Sequence, residues 1–185
     1  YDLSIDTDPY LNSSALITWY SGKASLGFSH SVRSKLFDTT SEFKEQHTFQ
    51  NYVDLLEKIN IQTNKELEKI QTDNETKERV EEILKENNLD NFIVGISPGV
   101  GESGRTRMWP LEKFAKLIDY LIENKKAKIV IIDGPDNLEV AEKLTNLTKH
   151  PITNLAGKTT KKESLYLIEK CDLFISNDTG PMHMA

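Results

Sequence analysis

Two stretches of this chain hold residue types that can grip an anion. The first is Ser97-Pro98-Gly99-Val100-Gly101-Glu102-Ser103-Gly104-Arg105-Thr106-Arg107-Met108-Trp109-Pro110, with three glycines and two arginines. Glycine lets the backbone approach a ligand closely, and guanidinium groups supply forked, charge-assisted donors that suit phosphate. Pro110 fits a first helical position, so the loop feeds a helix N-terminus, where unpaired amides favour negative charge. The same loop reads equally well as a surface segment with solvated arginines. The second stretch, Asn177-Asp178-Thr179-Gly180-Pro181-Met182-His183, follows an apolar run and has small residues ahead of a proline. The amides of Thr179 and Gly180, the Thr179 hydroxyl and the Asp178 carboxylate can then face a ligand, the carboxylate accepting from sugar hydroxyls. The plainer alternative makes Asp178 a helix cap. His183, taken alone, reads as packing in that helix's first turn.

Other chemical signals fail. Gly157-Lys158-Thr159 resembles the end of a P-loop, but that motif needs a glycine five residues before its second one, where Ile152 stands. The four histidines, His30, His47, His150 and His183, lack metal-ligand spacing, so no metal site is expected. The single cysteine, Cys171, cannot form an internal disulfide. It precedes an apolar run and reads as a buried structural thiol.

In an open parallel α/β sheet, ligands bind beyond the carboxyl ends of the strands. Both stretches follow strand-like runs: Phe92-Ile93-Val94-Gly95-Ile96 and Leu173-Phe174-Ile175-Ser176. Lys128-Ile129-Val130-Ile131-Ile132 is a third, and such nearly continuous apolar runs fit strands covered on both faces. A helix is predicted from Pro110 with a stripe at Leu111, Phe114, Leu117, Ile118 and Leu121. Further helices are predicted over 136–147 and over 161–170, the latter capped by Thr160, with a short extended piece at 152–155. A charged helix over 75–88 shows a thin stripe of Val80, Ile83 and Leu84, its Glu and Lys residues forming a solvated face. This alternation of strands and helices implies right-handed βαβ units and a parallel sheet. Towards the N-terminus, 1–6 alternates like a half-buried strand, 10–20 suggests a helix closed by Gly22, and Ser25-Leu26-Gly27-Phe28 reads as a short strand. Residues 29–46 are polar and irregular, and 47–59 forms a helix with a stripe at Phe49, Tyr52, Val53, Leu55, Leu56 and Ile59. The Asn-, Gln-, Thr- and Lys-rich stretch 60–74 is the linker, so the expected domains are 1–73 and 74–185.

The chain has 185 residues, 37% hydrophobic and 28% charged, enough for a buried core in one domain or two small ones. A formal net charge of -6 argues against a general binder of nucleic acid or anionic membranes. It leaves room for a small anionic ligand, which needs only a few local donors. No apolar run approaches the ~20 residues that span a bilayer, and the N-terminus lacks the form of a signal peptide. The chain opens at Tyr1 inside a strand-like run and stops at Ala185 as a helix begins, so it reads as an internal piece of a larger protein.

The motifs also occur in a recognisable order: Ser97-Pro98-Gly99, Arg107-x-Trp109-Pro110, Gly134-Pro135-Asp136, Asn154-Leu155-Ala156-Gly157-Lys158-Thr159, then Asn177-Asp178-Thr179-Gly180-Pro181-Met182-His183. With Tyr1-Asp2-Leu3-x-Ile5-Asp6, Leu26-Gly27-Phe28 and His47 leading into Val53-Asp54-Leu55-Leu56, the chain resembles glycosyltransferase family 9 over nearly its whole length. This is the lipopolysaccharide heptosyltransferase family, whose best-known donor is ADP-heptose. The resemblance implies a GT-B fold of two Rossmann-like domains. Residues 1–73 would be the C-terminal part of the acceptor-side domain plus the linker, and 74–185 the first part of the donor-binding domain. It implies a donor-binding set of Ser97, Gly99, Arg107, Asp178, Thr179, Gly180 and His183. Within it, Arg107 would contact the diphosphate, Asp178 the donor sugar, and Thr179 and Gly180 the diphosphate turn. Family members often carry a glutamate shortly after the Gly-Pro element that meets the ribose; here Asn137 takes the nearest position, with Glu139 two residues later.

The family's inverting mechanism uses a general base proposed to be an Asp in a Gly-Asp loop, which would precede Tyr1. No acid here matches it, since Asp6 and Asp8 belong to a later strand. The catalytic residue is therefore unassigned and this chain alone is expected to be inactive. The implied partners are a nucleotide-sugar donor, ADP-heptose first among them, and a lipid-linked oligosaccharide acceptor, with no separate cofactor and no nucleic acid. The implied location is cytoplasmic, with peripheral association at the inner face of the inner membrane. Two alternatives stay open: a GT-B transferase with another donor, and a non-catalytic nucleotide-binding or interaction module.

Overall fold

A five-residue apolar run with no polar face must be covered on both sides, and Ile93–Ser97 (β4) is buried along its whole length. In the computed structural model, which describes residues 1–64, 66 and 68–185, β4 pairs in parallel with Lys128–Ile131 (β5) and with Leu173–Ser176 (β7). A two-residue strand, Thr153–Asn154 (β6), adds beyond β5, giving the order β6-β5-β4-β7. Successive side chains point to opposite faces. One face carries Val94, Ile96, Ile129 and Ile131 against Phe114, Ile118, Ala141 and Leu144. These come from the helices Leu111–Lys125 and Leu138–Leu147. The other face carries Ile93, Val130 and Ile132 against Val80, Ile83, Leu84, Leu167 and Ile168. These come from Asn74–Glu86 and Lys161–Glu169. Burying each large aliphatic side chain contributes roughly 1.5–3 kcal/mol, so the two-sided core is the main support of the edge that carries the loops.

Numbered in chain order from the first unit, described below, these helices are α4 (Leu111–Lys125), α5 (Leu138–Leu147), α3 (Asn74–Glu86) and α6 (Lys161–Glu169). Their ends are set by local hydrogen bonds. Thr160 and Glu163 form a reciprocal capping box on α6. Asp73 caps α3 by accepting from the Thr76 amide at 2.9 Å and hydroxyl at 2.7 Å. It also accepts from Lys162 Nζ at 2.7 Å, which ties α3 to α6. Hydrogen bonds from Lys162 and Thr76 hold the Asp73 carboxyl well below the usual carboxylate range. Cys171 sits beside Gly95 of β4, where a β-carbon would come within 2.9 Å of its sulfur and 2.5 Å of Phe174. Burial pushes the Cys171 thiol up to about 12.

These elements form the compact unit Gln71–Ala185, and Tyr1–Ile70 forms the other. The first unit has a parallel sheet in the order β1 (Leu3–Ile5), β2 (Ala24–Phe28), β3 (Thr39–Ser41). Its helices are α1 (Asn12–Ser21) and α2 (Thr48–Glu57). Leu26, Phe28 and Leu55 form its core with Phe43 and Ile59. Asp6, just past β1, is buried in an ion pair with Arg33 and also accepts from Ser14 Oγ at 2.9 Å.

Several elements depart from the sequence expectations. The stretch 29–46 contains a 3-10 helix, Ser31–Leu36, and the strand β3. Thr39-Thr40-Ser41 has no apolar alternation to announce a strand. It is held instead by its ladder to Leu26–Phe28 and by Asp38, which accepts from the Ser25 amide and hydroxyl at 2.8 Å each. The helix expected over 10–20 starts at Asn12, because the Asp8 carboxylate takes the amides of Tyr10 and Leu11 at 2.7 Å each. On α2, Tyr52 is exposed while Asn51 is fully buried. The Asn51 side chain accepts from the Lys44 amide at 2.9 Å and donates to the Lys44 carbonyl at 3.1 Å. Pro110 is the N-cap of α4 and not its first helical residue. A 3-10 turn over Pro135–Asn137 precedes α5.

Candidate functional site

From β4 the chain runs outwards through β5 and β6, then α6 returns it to place β7 on the other side of β4. The strand order therefore reverses between β4 and β7, and the carboxyl edge there is where such a sheet opens a ligand crevice. A buried side chain holds this junction. Asn177 accepts from the Trp109 amide at 3.0 Å and donates to the Pro98 carbonyl at 2.7 Å, joining the segment after β7 to the long loop after β4.

A second buried side chain, Asp133, follows β5. Its Oδ2 accepts from Ser97 Oγ at 3.1 Å and from the Gly99 amide at 2.8 Å. Its Oδ1 accepts from the Gly134 amide at 2.8 Å and from Asn137 Nδ2 at 2.7 Å. Its backbone carbonyl takes the Gly157 amide at 2.9 Å. A carboxylate taken out of water is expensive unless its lone pairs are satisfied, and four donors satisfy both oxygens here. The result ties the loops after β4, β5 and β6 to one residue.

Beside this hub lies a cleft of about 300 Å³, contained within the second unit. This is the small end of the range for ligand pockets. Gly101, Asp133, Gly134 and Asn137 line it from the loops after β4 and β5. Thr159, Lys161 and Ser164 line it near the start of α6, and Thr179 and Gly180 from the turn after β7. Ile132, Pro135, Ile168 and Met184 give it an apolar wall. A β-carbon on Gly101, Gly134 or Gly180 would meet no atom within 4 Å, so part of the lining is bare backbone. Such a cleft can hold a flat ring against its apolar wall, with hydroxyls, an amide and the Lys161 ammonium placed for polar substituents. At the start of α6 the capping box engages the amides of Thr160 and Glu163.

Of the residues singled out from the sequence, Asn137, Thr179 and Gly180 come together in this cleft. Arg107 and Asp178 meet each other at 3.3 Å, both about two-thirds exposed. Ser97 is fully buried and bonded to Asp133. Gly99 is closely packed too: a β-carbon there would lie 2.2 Å from Asn137 Cγ and 2.6 Å from Asp133 Oδ2. Glu139 pairs with Lys143 at 2.6 Å along α5. His183 is exposed on the short helix α7 (Gly180–Met184). The sequence reading passed over Asp133, although it stands directly after a strongly apolar strand, where the carboxyl-end rule points. It also gave no binding role to Thr159, which it quoted only within a motif, nor to Lys161 or Ser164, whose polar types carry no signal until α6 is placed beside the strand ends.

The description of glycosyltransferase family 9 (heptosyltransferase) matches residues 1–185. Lipooligosaccharide heptosyltransferase 2 of Haemophilus influenzae is 35% identical over 96 residues, 50% of this chain and 28% of that protein. Lipopolysaccharide heptosyltransferase 2 of Escherichia coli is 30% identical over 96 residues, 50% of this chain and 27% of that protein. Among solved structures, the family 9 glycosyl transferase of Veillonella parvula superposes with a TM-score of 0.68 at 22% identity, covering 99% of this chain and 53% of that one. E. coli heptosyltransferase WaaC, solved with ADP, gives 0.60 at 19% identity, covering 100% and 58%. The chain thus spans little more than half the length of the structures it matches. Their likeness shows the fold, parts of two Rossmann-like α/β units of GT-B type. With a match along its whole length and its motifs in family order, the chain belongs to glycosyltransferase family 9, the heptosyltransferases.

Proposed function

We propose that the protein transfers a sugar, heptose by the naming of its relatives, from a nucleoside diphosphate to a lipopolysaccharide core or similar lipid-linked acceptor. The observation that carries this reading is the cleft at the strand-order reversal, lined by Asn137, Thr179 and Gly180. An apolar wall with bare-backbone edges suits a nucleoside, and ADP is the ligand named for the E. coli structure. Arg107 is the cation for the diphosphate, and Asp178 the acceptor for sugar hydroxyls. Their mutual ion pair keeps both at the junction until a donor gives Arg107 a better anion. Such enzymes invert the anomeric centre, so an acceptor hydroxyl must lose its proton to a base while the departing diphosphate is neutralised. Arg107 is the loop cation we assign to that neutralisation, and Lys161 lines the cleft. No helix of the described residues is long and apolar enough to cross a membrane. A lipid-linked acceptor would then be met by peripheral association at the cytoplasmic face of the inner membrane.

Calorimetric titration with ADP-, GDP- and UDP-sugars tests this. Selective binding of the ADP-sugar is expected, weakened about tenfold or more in Arg107→Ala and in Asp178→Ala. Exposed ion pairs contribute only about 0–1 kcal/mol to stability, so both variants should melt close to the parent. Selectivity for a GDP- or UDP-sugar would change the donor. Absence of binding to all three would sink the transferase reading in favour of a non-catalytic module.

A further inference from the structure

We propose that Asp133 is a positioning residue for the nucleotide: it fixes the Asn137 carboxamide so that its oxygen is the atom offered to a ribose hydroxyl. This rests on the donor reading of the cleft. An ionised carboxylate only accepts hydrogen bonds, so of the two ends of the Asn137 amide only the NH2 can face it, and it does so at 2.7 Å. Gly99 closes the other side, since even a β-carbon there would stand 2.2 Å from Asn137 Cγ. A flip would set the amide oxygen against the Asp133 carboxylate, two acceptors face to face. Asn137 lines the cleft and is partly buried, and no hydrogen bond to its Oδ1 occurs among the described residues.

The same contact accounts for the residue type. An aspartate at 137, isosteric with Asn137, would bring a second carboxylate against that of Asp133, and two like charges at that distance disfavour each other strongly. With Asp133 present, the acceptor at 137 has to be neutral. The ribose diol is then met by one oxygen where a carboxylate offers two, so the two ring hydroxyls are read less tightly than by an acid. Asp133 contributes this orientation from behind Asn137, while its other bonds, to Ser97, Gly99 and Gly134, hold the neighbouring loops.

The test compares ADP with 2′,3′-dideoxy-ADP by calorimetry on the parent protein, Asn137→Asp, the exchanged pair Asp133→Asn with Asn137→Asp, and Asn137→Ala. The parent should prefer ADP by about fivefold, the effect of one neutral hydrogen bond. Asn137→Asp, which sets two carboxylates face to face, should lose the preference and weaken ADP about tenfold. The exchanged pair turns an amide NH2 towards a carboxylate again, and should bring the preference back to within about threefold of the parent. Were Asn137→Asp too unstable to assay, Asn137→Ala should still bind both nucleotides alike. An exchanged pair weaker than Asn137→Asp, an Asn137→Ala that keeps the preference, or a parent that shows none, overturns the proposal. A parent that binds neither nucleotide defeats the donor reading itself.

Discussion

Gly99 and Gly134 stand at the same edge of one sheet for different reasons. At Gly99 the space a side chain would need is filled by Asn137 and Asp133, whereas at Gly134 a β-carbon would meet no atom within 4 Å. Overpacking typically costs about 1–3 kcal/mol. Gly99→Ala is therefore expected to lower the melting temperature by several degrees in scanning calorimetry. Gly134→Ala, with φ −74° and ψ 166° that alanine tolerates, should leave it nearly unchanged and act on nucleotide affinity instead. Equal destabilisation by the two would contradict this division. The sequence showed that the loop was glycine-rich, and it put Asn137, Thr179 and Gly180 among the candidates. It did not show that Gly99 serves internal packing. That follows from partners 34 and 36 residues apart along the chain, Gly99 with Asp133 and Ser97 with Asp133, which only the pairing of β4 with β5 brings together.

Elements were legible in proportion to how far burial shaped their composition. β4 and β5 announce themselves because a strand covered on both faces can afford few polar residues, and the stripes on α3 and α4 because one face of each meets the sheet, whereas β7, read from the same kind of apolar run, is an edge strand with Leu173 exposed and the rest only partly buried. β3 was invisible, being three hydroxyl residues held by a ladder and by Asp38. On α2 the apolar period missed that Asn51 is buried to hold the segment before the helix. The same helix carries Asp54, whose carboxyl is brought down to about 2 by hydrogen bonds from Gln50, Gln46 and Lys44. Its value in the unfolded chain is about 3.9. A depressed folded value means that stability is fully present above about pH 4 and is lost as pH falls towards 2. The unit Tyr1–Ile70 should accordingly weaken through that window, and Asp54→Asn should flatten the dependence. Urea midpoints followed by tyrosine and tryptophan fluorescence at pH 3 and pH 7 check it; an unchanged slope in the variant would assign the acid sensitivity elsewhere.

At the scale of the molecule, the cleft lies wholly within Gln71–Ala185. A ligand that binds only the folded state stabilises by about 2.7 kcal/mol at a hundredfold excess over its Kd. Hydrogen exchange with saturating ADP should therefore slow amides of the loops around Gly99, Gly134, Gly157 and Gly180, and of β4 and β5. The amides of β1 to β3 should exchange as before. Protection confined to the first unit would place the nucleotide elsewhere. A polar stretch between two apolar patterns put the expected boundary at 73 and 74, and the two compact units divide between Ile70 and Gln71. The crevice could not be read from the sequence, because it depends on strand order, and sequence periodicity carries no record of which strand lies beside which.

Cys171, seated against the side-chain-free face of Gly95, also gives the second unit a built-in chemical clock. With its thiol pushed up to about 12, the reactive thiolate is only about one part in ten thousand at pH 8. Alkylation of the native protein is therefore slow while the partly buried thiol stays packed against Gly95. A thiol reagent should modify the folded protein at least a hundredfold more slowly than the urea-unfolded chain, and saturating ADP should slow it further. Labelling at the unfolded rate would show that this corner of the sheet is already open. As the chain has one cysteine, the stability of the sheet edge that carries the crevice can be timed without an engineered label.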